Sequence, residues 1–183
     1  ITIQFGGKSF QIRTDSNGLA AFYINLKPGN YLLKVTNPDT GEVLSQYIKV
    51  VSRISKNSNL VMYYGSGKSY SVKVSDDNGN PAKGVKVKFT IASRSFIRTT
   101  DNNGIASLRI SLNPAIYTVT AEYKNVRVVN KIAVKSTIIT KNIAVKKGKI
   151  IVFNARLLDS NGKILKNKIL TFKFMGKTYH ITY

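Results

Sequence analysis

Two stretches of this chain repeat one another in register, and that repetition limits the possible folds more than any other feature. Asp15-Ser16-Asn17-Gly18-Leu19-Ala20 answers to Asp101-Asn102-Asn103-Gly104-Ile105-Ala106, and Leu26-Lys27-Pro28-Gly29-Asn30-Tyr31 answers to Leu112-Asn113-Pro114-Ala115-Ile116-Tyr117, both at an offset of 86 residues. Asp-x-Asn-Gly supplies the positive-φ residue of a tight turn between strands. Beyond it, Ala20, Phe22, Ile24 and Leu26 alternate with the other face, as do Ala106, Leu108, Ile110 and Leu112. A period of two predicts a half-buried strand in each copy. Leu-x-Pro-x-x-Tyr then turns the chain. A Tyr that opens the next strand can hydrogen-bond back to the backbone at such a bend, which is the tyrosine corner of two-sheet sandwiches. Leu26, Pro28 and Tyr31 form the first candidate corner, and Leu112, Pro114 and Tyr117 the second.

The rest of the chain alternates in the same way. In the stretch 53–136, Leu60–Tyr64 reads as a first strand ending at Gly65-Ser66-Gly67. Tyr70, Val72 and Val74 share one face, and Val85, Val87, Phe89 and Ile91 form another row. Ser93-Arg94-Ser95 reads as a turn into Phe96–Thr99. Tyr117, Val119, Ala121 and Tyr123 make the last clean inward row before Val126–Val134. Seven or eight short strands separated by turns are expected, with no helical periodicity of useful length. Gly79 recurs as Gly162 and Phe89 as Phe172, each 83 residues on, while Val50–Ile54 resembles Val134–Ile138. These offsets divide the chain into 1–52, the later strands of a repeat; 53–136, a complete repeat; and 137–183, the earlier strands of another. In that division Ile1 corresponds to Val87 and Tyr183 to Thr100. The joints lack Pro/Gly/Ser spacers, so successive units should abut. Two arrangements would complete the partial units: a window on a longer tandem array, or strand exchange between neighbouring copies. Two strands would be duplicated in an exchange, which favours the window.

The charge is lopsided, with 29 Lys and Arg against 8 Asp and Glu and a net +21. Six of the acids (Asp15, Asp39, Asp76, Asp77, Asp101 and Asp159) lie in or beside Gly-containing turns, leaving Glu42 and Glu122 elsewhere. The net charge rises from +2 in 1–52 to +10 in 53–136 and +9 in 137–183. The total of +21 exceeds the roughly 2–8 that solubility asks of a small domain. Lys73, Lys86, Lys88, Arg109, Lys131 and Lys135 are the candidate polyanion contacts, because they stand on strands whose other face is apolar. Arg98 interrupts an apolar row and has no evident place.

Several chemistries find no support. There is no Cys, hence no disulfide and no thiol chemistry. A lone His180, opposite Tyr179 and Ile181, builds neither a metal site nor a triad. The Asp-x-Asn-Gly turns lack the further acids of a calcium loop. No two carboxylates aim at one cleft as a glycosidase requires. Gly65-Ser66-Gly67-Lys68 lacks both the spacing and the following helix of a phosphate loop. No buried acid accompanies a Lys on the inward rows, which argues against a Lys–Asn cross-link. The reading is therefore no enzyme, no cofactor and no metal. No apolar run reaches membrane-spanning length. Nucleic acid is disfavoured as partner because the aromatics fall mostly on inward rows, whereas single-strand binders expose them along a basic groove.

Tyr70–Val74, Asp77–Pro81, Gly84–Phe89, Thr99–Ala106 and Leu112–Tyr117, taken in that order, resemble the tandem Ig-like repeats of archaeal, methanogen adhesin-like surface proteins. The likeness covers essentially the whole chain. It departs at Ala115, where that pattern has Gly, and at Lys163-Ile164, where the second unit has Asn80-Pro81. The resemblance implies all-β, tandem Ig-like (fibronectin type III-like) sandwiches in an extracellular, cell-surface, non-enzymatic protein. Its implied partners are neighbouring repeats of the same chain. The expected function is a structural or adhesive stalk or filament with a basic outer face for anionic cell-wall polymer, glycan or cells. The alternative is a carbohydrate- or polyanion-binding module of a larger extracellular protein.

Overall fold

Why a chain of alternating residues folds as it does here is clearest in its turns, which recur at the repeat spacing. The computed structural model describes residues 1–181. Its strands are β1 (Thr2–Phe5), β2 (Lys8–Gln11), β3 (Gly29–Thr36) and β4 (Val43–Val50) in the first stretch. The middle stretch holds β5 (Ile54–Ser55), β6 (Leu60–Tyr63), β7 (Ser69–Val74), β8 (Lys86–Ile91), β9 (Arg94–Thr99), β10 (Ile105–Arg109), β11 (Ala115–Tyr123) and β12 (Val126–Lys135). Then come β13 (Ile138–Thr140), β14 (Ala155–Leu157), β15 (Leu170–Phe174) and β16 (Lys177–Ile181). There is no helix among the described residues.

The middle stretch forms two sheets. One has the order β10-β7-β5 and the other β6-β12-β11-β8-β9. Its opening segment changes sheets: β5 pairs antiparallel with β7, while β6 runs parallel to the last strand, β12. This is the strand order of an Ig-like sandwich. Alternate residues from both sheets meet in one core, with Val72, Val74, Val87, Phe89, Val119, Ala121 and Ile132 all without solvent exposure. Phe89 meets Tyr70 edge-on, with ring centroids 6.0 Å apart. The inward rows read from the sequence are these rows.

Both tyrosine corners are present. Tyr31 Oη donates to the Lys27 carbonyl at 2.8 Å, and Tyr117 Oη donates to the Asn113 carbonyl at 2.9 Å. Each bond spans the Pro and holds the strand that follows against the bend.

Two expectations need correction. The turn before β9 is Ala92-Ser93, not Ser93-Arg94-Ser95, since Ile91 pairs directly with Arg94. Both turn residues have positive φ, 49° and 59°. That is the right-twisting hairpin geometry in which Asn and Gly are favoured. The first stretch meets the same need with Gly6-Gly7, and the third with Met175-Gly176. Replacing Ala92-Ser93 with Asn-Gly is therefore expected to stabilise the middle stretch by about 1 kcal/mol in denaturant titrations.

The second correction concerns Ala20–Leu26. Its alternation predicts a strand, yet no strand forms there, whereas its counterpart Ile105–Arg109 pairs with β7 over five residues. Alternation makes a strand only where there is a neighbour to accept its hydrogen bonds, and residues 1–52 contain no counterpart of β7. In the third stretch β14 pairs with β13 as β7 pairs with β5.

The flanking stretches keep the inward rows but bury little. Ile3 is the one buried apolar residue of the first stretch, in the sheet β2-β1-β3-β4. Among the described residues of the third, Leu158 alone is buried, although Phe172 and Tyr179 stack at 5.2 Å across β15 and β16. The correspondence of Tyr183 with Thr100 falls outside the described residues.

Tyr70 supplies a pH signature. Its hydroxyl donates to Asn130 Oδ1 at 2.7 Å, and burial pushes its pKa up from 10.0 to about 12. The folded state holds this proton more tightly than the unfolded chain, so the contribution is full below pH 10 and disappears as pH rises from about 10 to about 12. Melting curves across that window should show a fall in stability of about 1–2 kcal/mol more in the native chain than in Tyr70→Phe.

Candidate functional site

The candidate cations stand where alternation puts them, on outward rows, but these rows belong to two sheets. Lys73 and Arg109 lie on β7 and β10, on the outer face of the three-stranded sheet. There Lys73 sits between Ser55 and Ile105, and Arg109 opposite Ser69. Lys86 and Lys88 on β8, and Lys131 and Lys135 on β12, are on the five-stranded sheet. Packed sheets lie about 10 Å apart with their outer faces pointing in opposite directions. No single ligand face gathers all six.

Their surroundings differ too. Glu122 on β11 lies between Lys88, 4.0 Å from its Nζ, and Arg127, 3.4 Å from its Nε. Lys135 Nζ is 5.8 Å from the centre of the Tyr63 ring. The Arg109 guanidinium lies over Gly67, where a Cβ would meet Nη2 at 2.9 Å. Lys73, Lys86 and Lys131 make no ion pair among the described residues. Arg98 now has a place: it pairs with Val87 on the edge strand β9, where the narrower facing sheet does not cover it. Its guanidinium sits 5.8 Å from the Phe96 ring and donates to the Ile97 carbonyl. An inward-pointing charge on an edge strand discourages pairing with another chain.

The turn aspartates are occupied by backbone. Asp15, Asp76, Asp101 and Asp159 each accept two main-chain N–H bonds at Oδ1, from the second and fourth residues on, at 2.8–3.0 Å. In the second turn it is Asp76 that shapes the backbone, which leaves Asp77 to bind Arg53, with Lys124 Nζ 3.7 Å away. The Arg53 hydrogen bond, then the charges of Arg53 and Lys124, hold the Asp77 carboxyl below the usual carboxylate range. No cluster of three or more His, Asp or Glu able to hold a metal occurs among the described residues. His180 is exposed, with Nδ1 2.9 Å from Thr171 Oγ1.

The sequence did not reveal how the stretches touch. Val51 lies over Gly79, where a Cβ would meet its Cγ2 at 3.7 Å. Across the next joint, Tyr63 lies so close to Gly162 that a Cβ there would clash with the ring. The same Asp-x-Asn-Gly turn is thus a contact point at both joints. Tyr63 gave no sequence signal, because alternation does not say what an end-of-strand residue meets beyond its own unit.

No protein-family model matches the chain, and no curated protein matches it. Solved structures similar to it include the S-layer protein SbsC, at 14% identity over 94% of this chain and 27% of that one, with a TM-score of 0.37. Another is a surface glycan-binding protein of Bacteroides ovatus in complex with a mixed-linkage heptasaccharide, at 13% identity over 76% and 39%, with a TM-score of 0.31. The fibronectin(III)-like modules of Clostridium thermocellum CbhA match at 16% identity over 74% and 77%, with a TM-score of 0.28. This chain spans 39% of the length of the glycan-binding protein and smaller shares of the longer S-layer chains. The Ig-like assignment stands on the sheets and the core themselves. Among the described residues, no helix is long and apolar enough to cross a membrane.

Proposed function

We propose that the chain is a structural and adhesive segment of an extracellular, cell-surface protein, non-enzymatic, in which Ig-like units at 1–52, 53–136 and 137–183 follow one another as a stalk or filament. Its partners in this reading are neighbouring repeats of the same protein, other copies through strand exchange, and anionic wall polymer or glycan. Resemblance to the archaeal adhesin-like repeats supports that setting. The observation that carries the electrostatic part is the fate of the acids: four are tied to turn backbone, and Asp77 and Glu122 are each flanked by two cations. Lysines are left on both outer faces of the sandwich with little to offset them. Such faces attract many anionic polymers without choosing among them.

Retention on anionic and neutral glycans at two ionic strengths tests this. Between about 0.15 M and about 1 M salt the Debye length falls from about 8 to about 3 Å. The adhesive reading expects binding to many anionic polymers at low salt and release from all of them at high salt. Equal binding to neutral and anionic glycans would contradict it. The second reading, a carbohydrate- or polyanion-binding module, is favoured by one feature, a groove on the first sheet.

A further inference from the structure

We infer that the outer face of the first sheet is a binding site for an anionic polysaccharide, with Tyr47 as its stacking platform and Lys34 as its principal cation. This deepens the binding-module reading and rests on it. An open groove of about 600 Å³ lies beside the β1–β2 hairpin, lined among others by Gln4, Lys8, Asn30, Leu32 and Lys34. That volume is within the range of ligand sites, roughly 300–1,000 Å³. Leu32 pairs across the sheet with Tyr47, so the two share this face, and Tyr47 is 80% exposed. Gln4 pairs with Lys34 on one side and with Ser9 on the other, which makes one polar row across three strands. From β2 to β4 the face is about 14 Å wide, three strand spacings.

The chemistry of that face selects its occupant. No carboxylate lines the groove, so Lys34 on this face is not neutralised within it, nor is Lys8, which pairs with Phe5 and reaches the groove from the other face at the sheet edge. Amide side chains beside them offer donors and acceptors together, which suits hydroxyl groups. An exposed phenol ring on a flat sheet presents an apolar face with a polar tip, to which the C–H face of a sugar ring can pack. Carboxylate- or sulfate-bearing sugars satisfy all three at once. Single-stranded nucleic acid would need several exposed rings in succession, and Tyr47 is the one exposed aromatic of this face.

The repeat itself supplies the control. At equivalent positions the middle stretch has Lys131 for Tyr47, Thr118 for Leu32, Thr120 for Lys34 and Thr90 for Gln4. Thr120 is only 6% exposed. The sandwich therefore forms without this constellation, and folding does not require it.

The test is calorimetric titration of the full chain with oligogalacturonate, a neutral cello-oligosaccharide of the same length, and oligothymidylate. Saturable binding of oligogalacturonate is expected, weakened at least tenfold by Tyr47→Ala and by Lys34→Gln, and less than twofold by Lys83→Gln, an exposed lysine in the loop before β8. Tyr47→Phe should retain most of it, since the ring face remains. Comparable losses from Lys83→Gln and Lys34→Gln would overturn the site while leaving general attraction by the basic faces intact. Tighter binding of oligothymidylate, equal binding of the neutral oligosaccharide, or no saturable binding would also overturn it. All the substituted side chains are exposed, and near-ultraviolet circular dichroism verifies that each variant is folded.

Discussion

Gly104→Ala is expected to destabilise the middle stretch by about 3 kcal/mol or more, whereas Gly18→Ala, at the same place in the earlier repeat, leaves that transition unmoved. Both glycines have positive φ, 73° and 77°, so both substitutions meet the left-handed backbone cost of about 1–2 kcal/mol, at Gly18 confined to the first stretch. Only Gly104 is enclosed. A Cβ there would run into the Val74 carbonyl oxygen and would lie 3.1 Å from the Ala82 nitrogen and 3.2 Å from the Pro81 Cα. These are backbone atoms that cannot rotate aside, and forced overpacking adds about 1–3 kcal/mol. The Gly104 carbonyl also accepts the Val74 N–H at 2.7 Å, so displacing the turn would break a bond to the end of β7. A Cβ at Gly18 would meet nothing within 4 Å. Thermal melts of both variants give the answer, since about 3 kcal/mol corresponds to a fall of more than about 10 °C in a unit of this size.

Phe89→Ala should have the largest effect of any single truncation, about 3–5 kcal/mol, read from the denaturant midpoint of the middle stretch. Phe89 is the largest of the fully buried side chains, and its ring is edge-on to Tyr70 on the facing sheet. Deleting it opens a cavity between the two layers of the core. The equivalent Ile3 is buried in a sheet that lacks a facing layer within its own stretch, so Ile3→Ala is expected to cost less.

Those contrasts also show what the sequence can and cannot say. Tyr70, Val72 and Val74 could be assigned to an inward row because a period of two has only one interpretation in a sandwich. The tyrosine corners were legible because a Pro three residues before a Tyr constrains the bend. Ala20–Leu26 carries the same alternation as Ile105–Leu112 but forms no strand, because pairing depends on a second segment that alternation does not contain. Ala92-Ser93 carries no turn signal in the sequence, since neither residue favours positive φ and the hairpin imposes it. The parallel pairing of β6 with β12 joins residues distant in the chain, Leu60 with Ile132 among them, for which the sequence offers no local mark. Lys73, Lys86, Lys88 and Arg109 alternate with apolar positions, and the strands turn them outward, whereas Arg98 points inward at the sheet edge. The division of the outward cations between two sheets follows from topology.

Hydrogen exchange of the whole chain, resolved to individual amides, tests most directly whether the middle stretch closes as one two-layered β body. The slowest amides should fall in β7, β8, β11 and β12, at the backbone positions of Val72, Phe89, Val119 and Ile132, and should exchange together at one global opening rate. Exchange in those four strands as fast as in the loops, or protection in the consecutive pattern of a helix, would contradict the account.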